Sequence, residues 1–439
     1  MVTDTEAATT DERFRWEHLL QKKVLVILLL GFSSGLPFPL VYSTLSTWLA
    51  QSGVELSTVS TFAWLGFAYS FKFLWAPLID TIRLPVLTGL LGRRRAWMLF
   101  AQLLIVLSLV VLSGMDPRQN IEAFALVAAA VALSSATQDI VIDAYRIECA
   151  ESRMQGVLAA AYQYGYRTAM LVSGAVAMAI ADRAPWSVAY MAMAGCALIG
   201  VLTTLWCEEP VTRIKRAAIV GANAMQKLAK WFAHSVVDPF MDFIKRFGSF
   251  AIVMLAFISL YRLSDYVLGI LANPFYVDIG YSLTEIAVIA KGYGLWVGLA
   301  GIGLGGWGVM KFGVARCLVI ATILIASTNL FFAAMVIVGP EPWMLAVTIS
   351  ADNIAQGFSG TVLIAYLSSL TNLSFTATQY ALLSSFMSLL GKFSAGFSGN
   401  VQESIGWLGF FLYAAALGIP AIALSFVVAK RHDKLVGQA

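Results

Sequence analysis

Asp139, Asp143, Arg146 and Glu148 fall within SSATQDIVIDAYRIE (134–148), which continues the apolar run AFALVAAAVAL with no turn signal between them. A charge at membrane depth is costly unless it meets protein or water, so such residues are functional candidates by default. The chemistry open to them is proton carriage and ion pairing, because a buried carboxylate titrates according to its burial and its distance from a cation. Lys72, Arg167, Arg262, Lys291 and Lys392, with Asp265 and Asp352, are charges of the same kind inside apolar runs. Asp143 and Arg146 are spaced to meet on one helical face, as are Arg262 and Asp265. YQYGYR (162–167) adds Tyr162 and Tyr166, whose rings and neighbouring amides suit a sugar, although packing is the commoner use of such aromatics.

The elements that must position these residues are membrane helices. Of 439 residues 59% are hydrophobic and 12% charged, against roughly 45–50% and about 25% in a soluble domain. Apolar runs long enough to span a bilayer occur at 22–50, 56–79, 96–114, 121–147, 155–181 and 186–206, and again at 249–272, 282–309, 314–338, 343–370, 376–400 and 406–429. The expected fold is all-α, with twelve transmembrane helices in two six-helix bundles. Basic residues gather at alternate loops, among them Lys22, Lys23, Arg93, Arg94, Arg95, Arg213, Lys215, Arg216, Lys311, Arg316, Lys430 and Arg431. The intervening loops hold only Arg118 and Arg183, a bias that places both termini in the cytoplasm. The net charge of +4 is therefore a topology signal, with no nucleic-acid footprint.

The expected organisation is a cytoplasmic segment 1–21 without a cleavable signal, a first bundle 22–207, a linker 208–248, a second bundle 249–429 and a tail 430–439. Within the linker, AAIVGANAM with Lys227, Lys230, Trp231 and Phe232 reads as an amphipathic helix on the membrane surface. The buried charges lie on helices two, four and five and on seven, eight, ten and eleven, while three, six, nine and twelve carry none. Those four helices are expected to face lipid and the others to enclose a polar cavity. At about 1.5 Å per residue, Lys72, Asp139 and Arg167 lie about 12, 13 and 20 Å from the inner helix ends. Helix one, with GFSSGLPFPLVYSTLSTW (31–48), reads as a hinged, pore-lining helix in which Pro37 and Pro39 free backbone carbonyls. The run GLAGIGLGGWG (298–308) lacks the strand context of a phosphate loop and suits close helix packing. Four cysteines in no metal-like spacing are expected to be free thiols.

FKFLWAPLID (71–80), LGRRRAWMLF (91–100), SATQDIVIDAYR (135–146), YGYRTAMLVSGA (164–175), DPFMDFIKRFG (238–248) and TATQYALLSS (376–385) together resemble the AmpG-type muropeptide permeases of the major facilitator superfamily. The resemblance runs over nearly the whole chain. It implies a multi-pass importer in the bacterial inner membrane that returns N-acetylglucosaminyl-anhydro-N-acetylmuramyl peptides to the cytoplasm by proton symport, as a monomer without cofactor or metal. Related branches carry acetyl-CoA or siderophore-linked compounds, which are the alternative cargo.

Within that frame the expected proton-coupling residues are Asp139, Asp143 and Asp352. Cargo contacts are expected from Lys72, Gln138, Tyr162, Tyr166, Arg167, Arg262, Asp265, Lys291, Asn353, Gln356 and Lys392, the cations meeting carboxylates and the acids an amine. Asp80, Arg83, Arg93, Arg94 and Arg95 are expected to latch the cytoplasmic side. The plain alternatives are buried ion pairs that only hold the bundles together and, for Asp143, Arg146 and Glu148, a helix-end network. A membrane-embedded transferase would place its acids in an accessible loop, and a receptor would carry a soluble output domain. Neither pattern is present.

Overall fold

A computed structural model of the protein describes residues 21–151, 154–210 and 237–436. AAIVGANAM and its expected surface helix lie outside the described residues. Helices three (Arg93–Ser113), four (Ile121–Glu148), six (Trp186–Trp206) and ten (Pro342–Leu370) are continuous. Several of the other spans are interrupted. Helix one bends twice, between Lys22–Gly35, Pro37–Val41 and Ser43–Gln51, where Pro37 and Pro39 withhold backbone donors. Helix two is five short pieces from Leu56 to Thr81, with breaks at Phe71 and Trp75. Helix five passes through a π-helical turn at Val172–Val176, and helix seven breaks at Arg262 between Phe250–Leu260 and Leu263–Asp278.

Among the described residues, seven helical runs are long and apolar enough to cross a membrane, or eight if Pro342–Leu370 and Leu373–Ala395, bent by 100°, form one span. Helices eight and nine make up one of these runs, and the broken helices two and five are not among them. The run Gly294–Val338 is two spans that turn at Gly313, whose φ of 78° requires a residue without Cβ. A second such turn, Gly406, separates helix eleven from helix twelve within Ser398–Leu417. The glycine-rich run packs helix eight on helix ten, with Gly301 and Gly305 against the backbone of Ile354 and Phe358. Helices one and five approach as closely: a Cβ on Gly165 would collide with the Leu28 carbonyl oxygen.

Four hydrophobic clusters form the core, and their membership shows how the bundles meet. At the end that carries Arg93 to Arg95, here the basic end, one cluster joins Ala377 and Ala381 of helix eleven to the first bundle, and another joins Ile147 of helix four to the second. The two clusters at the opposite end each draw on a single bundle. Contacts between bundles run from helix five to eight and ten, and from helix eleven to two and four. The helix Asp238–Phe247 lies at the basic end with Pro239, Phe243 and Phe247 buried, and Arg246 donates to the Leu370 carbonyl at 3.0 Å.

Overpacking a tight site typically costs about 1–3 kcal/mol, so Gly165→Ala is expected to lower the thermal midpoint of the detergent-solubilised protein. Gly269→Ala, where a Cβ meets nothing within 4 Å, is expected to leave it unchanged. Equal midpoints for the two variants would refute the close helix one–five crossing.

Candidate functional site

Helix four carries the first cluster. The Ser34 hydroxyl, from the inward face of helix one, donates to Asp139, and it lies 2.7 Å from the Tyr162 hydroxyl of helix five. Asp139 is buried. One turn further toward the basic end, Asp143 has Lys72 Nζ at 3.7 Å and Arg146 at 3.6 Å. Lys72 reaches it because helix two is broken around Lys72–Leu74, which turns that side chain into the bundle. Lys72 is also within electrostatic reach of Asp139. Arg146 is wholly buried and spans the seam: it donates to Gln155 at 3.2 Å and to Ser368 of helix ten at 2.9 Å, and sits 5.3 Å from the Tyr380 ring centre of helix eleven.

The second bundle holds a counterpart. Arg262, at the break in helix seven, is 3.1 Å from Asp265. Asp352 is buried, accepts from Gln356 at 2.8 Å, and is within electrostatic reach of Asp265, Arg262 and Arg167. Arg167 itself is exposed and belongs to the other bundle, so this group also crosses the seam. Tyr166 stands beside Tyr162, their ring centres 6.0 Å apart.

Three expected cargo residues stand apart from these clusters, and a fourth, Lys392, meets the first from the second bundle. Gln138 is fully buried and exchanges two hydrogen bonds of 2.9 Å with Ser33, one to its hydroxyl and one to its carbonyl, so it is turned toward helix one. Asn353 donates to the Ile349 carbonyl and lies against Gly294 and Gly298 of helix eight. Lys291, exposed on the π-helical segment Ile286–Tyr293, donates to Asn273 at 3.0 Å. Lys392 is exposed and donates to Ser70 of helix two at 2.7 Å.

At the basic end Asp80 accepts from Arg94 at 2.9 Å through one oxygen, and from the backbone and hydroxyl of Thr378, both at 2.8 Å, through the other. Thr378 opens helix eleven of the second bundle. Arg94 also meets Glu148 at 2.5 Å, and Arg93 donates to the Asp80 carbonyl at 2.7 Å. Glu209 accepts from the backbone N–H groups of Arg94 and Arg95, an anion at a helix N-terminus. Arg95 donates to the carbonyls of Thr204 and Leu205, while Arg83 is exposed. Nearby, the hydrogen bond and charge of Lys22, 2.8 Å from Glu208, hold that carboxyl below its usual range.

Ser34, Gln155, Ser368, Thr378 and Glu209 complete these networks, and none belongs to the sequence-derived set. Ser34 carried a signal, as one of the hydroxyls of helix one. Thr378 carried none, because its partner Asp80 is 298 residues away.

Residues 23–191 match the family model described as acetyl-coenzyme A transporter 1. The chain is 32% identical over 410 residues to the anhydromuropeptide permease of Escherichia coli K12, covering 93% of this chain and 80% of that protein. It is also 32% identical over 407 residues to the transporter AmpG 4 of Rickettsia felis, covering 92% and 96%. Among solved structures, the proton:xylose symporter XylE superposes with a TM-score of 0.64 at 15% identity over 93% of this chain and 94% of that one. The human organic anion transporter MFSD10 gives 0.62 at 15% over 92% and 97%. The chain has the twelve-helix, two-bundle fold of the major facilitator transporters that it superposes on. The protein is a multi-pass membrane transporter rather than an enzyme, and the chain belongs to the AmpG family of permeases within the major facilitator superfamily.

Proposed function

We propose that this protein imports N-acetylglucosaminyl-anhydro-N-acetylmuramyl peptides across a bacterial inner membrane by proton symport, as a monomer with both termini in the cytoplasm. The cargo reading rests on the permease relatives. The coupling reading is carried by one observation: Asp139 is buried and bonded by Ser34, one turn from an Asp143 that meets cations on two sides. Separation of Asp139 from Lys72 favours the protonated acid, and approach favours the carboxylate. A shift of the broken helix two against helix four within the first bundle, accompanying the rocking motion, thus loads and releases a proton, with Asp143 as the relay toward the cytoplasm and Asp352 as the second carrier. Acetyl-coenzyme A is the second reading, supported by the family model over residues 23–191. An uptake panel in proteoliposomes separates the two cargoes.

Asp139→Asn keeps the side-chain shape but cannot titrate. It is expected to abolish accumulation driven by an inward acid gradient while leaving equilibrium binding of the muropeptide intact. A variant that concentrates cargo as well as the wild type excludes Asp139 as an essential carrier.

The basic-end network acts as the cytoplasmic latch, holding the bundles together while the opposite end is apart. Removing one partner of a buried charge pair costs about 3–5 kcal/mol. Asp80→Asn is therefore expected to raise thiol labelling of a Ser368→Cys reporter from the cytoplasmic side, with cargo affinity changed far less. If instead affinity falls and labelling stays at the level of the reporter alone, Asp80 is a cargo residue and no latch.

A further inference from the structure

We infer that Lys72 and Lys392 form a clamp for one carboxylate of the cargo, with one ammonium group supplied by each bundle. The inference rests on the muropeptide reading above and names the chemical group that this part of the site takes.

The two lysines come from helices that meet across the seam. Lys72 sits on the broken middle of helix two, and Lys392 lies near the far end of helix eleven. Lys392 Nζ is 2.7 Å from Ser70 Oγ, two residues before Lys72, and the two ammonium groups are within electrostatic reach of each other. Like charges from two separate bodies repel unless an anion is shared between them. Among the described residues, no carboxylate lies within ion-pair distance of Lys392. The acids near Lys72 are Asp143, at 3.7 Å and shared with Arg146 at 3.6 Å, and Asp139, within electrostatic reach, so with Lys392 this side of the seam has three cations to two acids.

A second encounter of cations across the seam, Arg167 with Arg262, is differently furnished. Arg262 has Asp265 at 3.1 Å, and Asp352 is within reach of both arginines. That pair is already compensated from within the protein, which leaves the lysine pair for an external anion. A carboxylate fits it: two oxygens, one for each ammonium, with the Ser70 hydroxyl free to donate to either. Peptide-bearing cargo carries such groups.

The position of the clamp gives the contact a second effect. A ligand shifts a conformational equilibrium only by its differential affinity for the states. A carboxylate held by both bundles favours arrangements in which the two ammonium groups stay close, so the charge of the cargo biases the rocking motion as well as its own retention.

The test compares binding of an anhydro-muropeptide tripeptide with that of the same compound after methyl esterification of its carboxyls, using purified full-length wild type, Lys392→Gln and Lys392→Arg. Wild type is expected to prefer the free acid by about tenfold or more, the worth of one hydrogen bond between charged groups. Lys392→Gln is expected to bind the two forms within about twofold, and Lys392→Arg to recover most of the preference. Lys392 is exposed, so its loss strands no buried charge and folding is preserved. A wild-type preference retained in Lys392→Gln overturns the clamp. Equal binding of acid and ester by wild type also overturns it but leaves the muropeptide reading standing, whereas wild type that binds neither compound overturns both.

Discussion

Asp80 is the carboxylate on which the arrangement of the two bundles depends. One oxygen answers the wholly buried Arg94, and the other accepts from the backbone N–H and the hydroxyl of Thr378 in the first turn of helix eleven, from the opposite bundle. A guanidinium without exposed surface must be neutralised where it stands, and Asp80 and Glu148 do so together. An acid at a helix N-terminus is favourable in its own right, so Asp80 satisfies a buried charge and an unpaired helix end at once. Opening the basic end means withdrawing helix eleven from that oxygen, which leaves Arg94 with its partners and Thr378 without one. The asymmetry makes Asp80 a catch rather than a cement.

Above this closure the charges are arranged in levels. Arg146, bound to Ser368 and Gln155 beside Tyr380, forms a floor that also crosses the seam. Asp143, Lys72, Asp139 and Lys392 follow, and the group around Asp265, Asp352, Arg262 and Arg167 stands in the second bundle with Arg167 reaching over from the first. Pairing keeps each buried charge tolerable, and among the described residues the ion pairs lie within one bundle. The hydrogen bonds between Arg146 and Ser368, Thr378 and Asp80, and Lys392 and Ser70 join the two, so moving the bundles changes the surroundings of the charges. Coupling between charge and motion needs no further device.

The architecture was legible in the sequence because span length, the spacing of basic loops and the sparing of helices three, six, nine and twelve are all one-dimensional properties. The turns at Gly313 and Gly406 fall at the expected boundaries of helices nine and twelve. Less was legible where the answer depends on which face a residue presents. Gln138 neighbours Asp139 in the chain, yet a step of one residue on a helix rotates it toward Ser33. Asn353 is turned onto helix eight by the same geometry. Depth along a helix is readable from a sequence, but azimuth is readable only where a periodic apolar face supplies a reference, and helices buried on all sides supply none.

The breaks in the helices were the least legible feature, and they coincide with the chemistry. Lys72 lies between the interruptions at Phe71 and Trp75, Arg262 is itself the break in helix seven, and Lys291 stands on the π-helical segment opening helix eight. Irregular backbone at membrane depth leaves polar groups without intrahelical partners and is tolerated only where protein or a water-filled cavity meets them. A charged side chain carries the same requirement. Placing both at one point lets a single polar surface serve both, which is why discontinuous helices recur at transporter binding sites. On this view the breaks at Lys72, Arg262 and Lys291 follow from the site's demand for water and charge, whereas Asp139, Asp143 and Asp352 sit on the continuous helices four and ten, where neighbouring hydroxyl, amide and ammonium groups meet them.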